Sequence, residues 1–122
     1  MTRASTPSRP PVLAIVYAVL AIVGAIGTWA YNIAFISSMP DIGYLDGWFA
    51  NPASSSAAVD IIVVAIVVSI FMLVEGHRLG WSRWAWILVV LSFAIAVAFT
   101  FPLFLALREL ALRRRAQATS TR

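Results

Sequence analysis

The chain contains no cysteine and no lysine, a single histidine, and only five acidic residues among 122. Without cysteine there is no disulfide, no thiolate metal site and no cysteine nucleophile. His77 alone does not make a conventional zinc site, so neither a metal nor a cofactor is expected. Charged residues make up 11% of the sequence, where an ordinary soluble domain carries about 25%. What replaces them is apolar: 61% of the residues are hydrophobic and mean hydropathy is +0.90. That composition predicts a membrane protein.

The net charge of +4 comes from nine arginines set against the five acids. All nine lie outside the strongly apolar runs and flank them, which suits phospholipid headgroups. No basic groove or recognition module points to nucleic acid, which is not expected as a partner. The run Arg113-Arg114-Arg115 is read as a set of lipid-headgroup contacts.

Residues 1–11 are polar and proline-rich and are expected to form a disordered tail. Residues 12–36 carry no charge and are long enough for a first membrane span. A secretory signal peptide competes for this run, but the apolar stretch continues past Gly27 to Ile36, which favours a retained helix. Ala14, Ala18, Ala21, Ala25, Thr28 and Asn32 share one face of it, a stripe of small side chains suited to close helix contact in lipid.

The connection over 37–56 has Ile42, Leu45, Trp48 and Phe49 at helical spacing, with Asp41 placed to cap them, which predicts a short helix lying in the membrane interface. A second span follows over about 57–75. Its helix starts either at Asn51-Pro52 or at Ser56, and the choice sets the depth of Asp60. A third span is expected over about 84–107, kinked near Pro102. The reading is therefore an all-α integral membrane bundle of three transmembrane helices, with a membrane domain over 12–112 and a basic disordered tail over 113–122. Trp81, Trp84 and Trp86 mark one interface; Trp29, Tyr31, Tyr44 and Trp48 mark the other.

Three spans place Arg3, Arg9, Arg78 and Arg83 on one side and Arg108, Arg113, Arg114, Arg115 and Arg122 on the other. The positive-inside rule is then nearly balanced. The first helix tips the expectation towards an internal amino terminus, with the carboxyl-terminal arginines outside.

The same topology predicts a polar cluster of Asn32, Asn51, Asp60, Arg108 and Glu109 at one membrane face. In one reading Asp60 complements the positive end of its own helix and holds the bundle together. In the other it marks a site, because ionisable groups inside membranes often line ion or substrate paths. Asp60, Val64, Val67, Phe71, Glu75 and Arg78 share a helical face, so both carboxylates are expected to meet the same neighbour. Glu75 and Arg78 are read as an interfacial ion pair, and Glu109 and Arg113 are spaced for an i,i+4 pair. Ser54, Ser55 and Ser56 have no histidine on their side to activate them, so no catalytic residue is assigned. Ala94 and Ala98 satisfy the small-xxx-small pattern on the third span.

Phe49-Ala50-Asn51 with Ser55 and Asp60, Glu75-Gly76 with Arg78-Leu79-Gly80, and Pro102-Leu103-Phe104-Leu105 with Arg108-Glu109 occur in an order and spacing that resembles the domain of unknown function 2834 family of small bacterial membrane proteins. The resemblance covers roughly residues 12–112. It implies a compact helical protein of the bacterial cytoplasmic membrane with no assigned activity, cofactor or catalytic residue. The Ala-Asn-Pro to Asp segment also faintly resembles membrane proteins linked to carotenoid modification.

The leading expectation is a non-enzymatic structural or accessory component that works with membrane lipids and either self-associates or joins a larger membrane partner. Two alternatives stay open. One is an oligomeric transporter or channel using Asp60; the other is a lipid- or isoprenoid-modifying enzyme using Asn32, Asp60 and Arg108.

Overall fold

The structure is a computed structural model that describes residues 11–120. The tail expected over 1–11 therefore falls almost wholly outside the described residues, as do Arg3, Arg9 and Arg122. The described residues are all-helical, without strands: α1 (Val12–Ser38), α2 (Tyr44–Trp48), α3 (Pro52–Arg78), α4 (Ser82–Ala94) and α5 (Val97–Ser120). Of these, α1 and α3 are long and apolar enough to cross a membrane, and α4 is a shorter apolar helix of 13 residues.

α3 begins at the first of the two starts that the sequence allows. The Asn51 side chain accepts hydrogen bonds from the Ala53 and Ser54 amides, each at 3.0 Å, and the Ser54 hydroxyl accepts from the Asn51 amide at 3.2 Å. This reciprocal capping box satisfies amides that the first helical turn leaves without partners, and Pro52 sits at the first helical position, where no amide is needed. The far end of α3 closes in a Schellman motif. The Trp81 amide donates to the Gly76 carbonyl at 2.7 Å and the Gly80 amide to that of His77 at 3.0 Å. That turn requires the left-handed φ of +77° at Gly80, which a glycine adopts without strain.

The expected third span is not one helix. The chain breaks at Ile95 and Ala96 and reverses, so α4 and α5 form a hairpin. Three contacts fix the reversal. The hydroxyls of Ser92 and Thr100 lie 2.6 Å apart, although eight residues of continuous helix would separate them by about 12 Å. Further along α5, the Arg108 Nε donates to Glu75 at 2.7 Å, and Arg115 donates to the Leu79 carbonyl at 2.8 Å. α5 thus returns to the end of α3 from which α4 set out. α4 itself is about 20 Å long, short of a hydrocarbon core of about 30 Å.

Pro102 lies in the second turn of α5 rather than near the end of a span, and residues 113–120, expected as a disordered tail, continue the same helix. Ala94 and Ala98 fall on different helices, so they form no common small-residue face. α2 is the short helix expected in the first loop, but the residue at its N-cap is Gly43 and Asp41 provides no cap.

Packing follows small residues. On α3 the buried positions are Ala58, Ala65, Val68 and Met72, a seam stepping by three, four or seven residues, which ends in the adjacent pair Glu75 and Gly76. Val68 and Met72 meet Val89 and Phe104 in the core cluster, and Phe104 also packs edge-on against Phe71 with ring centroids 6.2 Å apart. A Cβ on Gly76 would overlap that of Ala85, so glycine lets α3 and α4 approach closely. α1 buries Ala14 and Ala21, while Ala18 of the expected stripe is exposed. Its Gly24 meets the Ala98 carbonyl at the start of α5.

The carboxyl end of α1 is held by α2. Phe35 lies against Gly47 and stacks edge-on with Tyr44 at 5.7 Å. α2 in turn packs on α3, and α5 runs from Gly24 towards the other end of the bundle, along the amino-terminal half of α1.

Candidate functional site: a charge-partitioned bundle

The hairpin disperses the polar cluster expected from three spans. Asn32 accepts a hydrogen bond from the Tyr44 hydroxyl at 2.6 Å, in an open groove with Phe35, Met39 and Trp48. Asn51 is consumed in capping α3. Asp60 is on α3, two residues past the buried Ala58 and so turned about 200° around the helix from it. It is exposed on the outer surface among Val59, Ile61, Ile62, Val63 and Val64, about 12 Å beyond the first residue of its helix. Among the described residues no side chain pairs with it.

Arg108 instead sits beside Glu75. Fifteen residues of α3 separate Glu75 from Asp60, about 22 Å, so Arg108 and Asp60 do not meet. A third span running straight through Ile95 would put Arg108 at the opposite membrane face from Glu75, so this pair is not legible from the sequence. The Glu75 side chain is 12% exposed and also faces Arg78 at 3.7 Å, but Arg78 is 74% exposed and contributes little. The two α3 carboxylates therefore point to different surroundings, Glu75 into the seam and Asp60 outward. Glu109 pairs with Arg113, whose Nε lies 3.2 Å from its carboxylate.

The consequence is a partition of charge. Among the described residues all six arginines, 78, 83, 108, 113, 114 and 115, lie towards the end of the bundle where α3 finishes. Glu75 and Glu109 at that end are each matched to an arginine. The three aspartates, Asp41, Asp46 and Asp60, lie towards the opposite end, on the first loop, α2 and the start of α3. The mixed distribution expected from three spans is thereby corrected.

The interior is closed. Met72, Thr100 and Phe104 are fully buried, and the Ser92 hydroxyl, besides facing Thr100, donates to the Leu88 carbonyl at 2.9 Å. Among the described residues no buried side-chain polar atom lacks a hydrogen-bond partner, and no three His, Asp or Glu gather into a metal site. The arrangement does not unite Asn32, Asp60 and Arg108 as an enzyme would require. What it exposes is an apolar outer wall bearing one carboxylate and a basic end.

The family described as protein of unknown function DUF2834 matches residues 16–110. No curated protein and no solved structure matches the chain.

Proposed function

The chain belongs to the DUF2834 family, and from that premise we propose that it is a small multi-pass protein of the bacterial cytoplasmic membrane, serving as a structural or accessory component of a membrane assembly. In this reading α1 and α3 span the bilayer and the α4–α5 hairpin packs against them from the basic end. The basic end faces the cytoplasm, following the positive-inside rule. Arg3 and Arg9 precede α1 in the chain and add to the same bias.

The observation that carries the reading is Asp60. An exposed carboxylate about 12 Å along an apolar spanning helix is costly in lipid, by about 2.5–3.5 kcal/mol on insertion scales, unless it meets a polar or charged group. Among the described residues its own chain supplies none, so the outer face of α3 is where another membrane-embedded subunit engages. The test exploits the absence of cysteine: Val64→Cys, one turn from Asp60 on the same exposed face, is expected to crosslink in native membranes and to leave a complex intact in mild detergent. A strictly monomeric protein with no partner overturns the reading.

The same residue favours a second reading, an oligomeric transporter or channel in which Asp60 from several subunits lines a path. There Asp60→Asn abolishes uptake into liposomes while leaving the fold intact. In the accessory reading the variant changes only association.

Orientation gives a further expected outcome. Tags placed at the two termini report the same, cytoplasmic side of the membrane in a protease-protection or fluorescence assay. Termini on opposite sides would restore three full spans and exclude the hairpin.

A further inference from the structure

Where α5 runs back past the end of α3, Trp81, Leu107, Leu110, Ala111, Arg114 and Arg115 line an open groove of about 350 Å³. Its floor is apolar, with Leu107 and Leu110 well exposed, and its rim is cationic. Arg115 is held in place by its bond to the Leu79 carbonyl. Arg114 is exposed and has no protein partner among the described residues.

We propose that this groove binds the headgroup and upper acyl chain of an anionic phospholipid. The charge at this end argues for that occupant: among the described residues six arginines face two glutamates, each already matched to an arginine, which leaves cationic groups in excess. A guanidinium suits a phosphate oxygen, the apolar floor suits a chain leaving the headgroup, and a tryptophan beside them sits at the depth where indole rings concentrate in bilayers. A free phosphate would use the arginines and leave Leu107 and Leu110 uncovered. The phospholipid covers both.

The inference rests on the membrane placement proposed for the protein. The test uses the full chain, integrated into bilayers and then extracted in an uncharged detergent, with native mass spectrometry after addition of phosphatidylglycerol, phosphatidylcholine or inorganic phosphate. Phosphatidylglycerol is expected to be retained about fivefold better than phosphatidylcholine, and phosphate not at all. Arg114→Ala lowers phosphatidylglycerol retention about fivefold, the equivalent of about 1 kcal/mol for one arginine near an anionic lipid. Arg83→Ala removes another exposed arginine, on α4 and outside the groove, and leaves retention unchanged.

Equal retention of the two lipids, equal losses in the two variants, or retention of phosphate alone overturns the groove while leaving the membrane reading standing. A chain that fails to integrate into bilayers overturns both. Because Arg114 has no partner among the described residues, its variant should melt with the unaltered protein, which separates lost binding from lost fold.

Discussion

Gly24→Leu is expected to destabilise the bundle by about 3 kcal/mol or more, the largest effect of any single change considered, and to detach α1 from α5. A Cβ at Gly24 would overlap the carbonyl oxygen of Ala98, and that atom belongs to the backbone and has no rotamer to retreat into. The position of the carbonyl is itself meaningful. Pro102 has no amide to offer the carbonyl four residues back, which is that of Ala98. The hydrogen-bond ladder is thus interrupted where α5 meets the glycine.

Even Gly24→Ala should cost about 1–3 kcal/mol, because the helices must separate to admit the methyl group. Gly27 is the control. A Cβ there has no neighbour within 4 Å, so Gly27→Ala should be neutral or stabilise by up to about 1 kcal/mol through helix propensity. Thermal unfolding in detergent, followed by loss of monodispersity and of helical circular dichroism, measures all three. Equal behaviour of the Gly24 and Gly27 variants would show that α1 does not pack on α5 through this contact.

Arg108→Ala is the second large effect, at about 2–3 kcal/mol. It removes the 2.7 Å partner of Glu75 and leaves a carboxylate whose side chain is 12% exposed with only the longer, 3.7 Å contact to the solvent-facing Arg78. Breaking a fully buried pair costs about 3–5 kcal/mol, and the 32% exposure of Arg108 brings the expectation below that range. The pair joins α3 to α5, so its loss should also loosen the basic end. Removing both charges, as in Glu75→Leu with Arg108→Met, should recover most of the stability, since two well-packed apolar side chains leave no uncompensated ion. Unfolding midpoints of the two single variants and the double variant close a mutant cycle. If the double variant loses the sum of the single losses, Glu75 and Arg108 are not coupled and the return of α5 to α3 is refuted.

These two contacts also mark where sequence reasoning stopped. Neither Gly24 nor Ala98 announces its partner, and Glu75 offered Arg78 as a nearer candidate in the chain. The decisive break, at Ile95 and Ala96, carries none of the residues that end helices; it lies inside an unbroken apolar run, and the one breaker in the region, Pro102, stands six residues further on. Hydropathy measures whether a segment prefers lipid to water. It does not register a change of direction. The reversal depends on what the two arms gain from each other, namely Phe104 against Val89 and the hydroxyls of Ser92 and Thr100 meeting out of contact with water or lipid.

By itself the sequence determined the helical class, the two long apolar helices, the short helix of the first loop, the family resemblance, and the pair of possible starts for α3. All of these follow from local quantities: hydrophobicity over about 20 residues, cap chemistry, and spacing along one helix. Only the tertiary structure decided that Arg108 belongs to Glu75, that Asp60 faces outward, and that among the described residues the arginines gather at one end while the aspartates stand at the other. Each of those depends on which segments lie side by side, and one unsignalled reversal of the chain changes every such pairing beyond it.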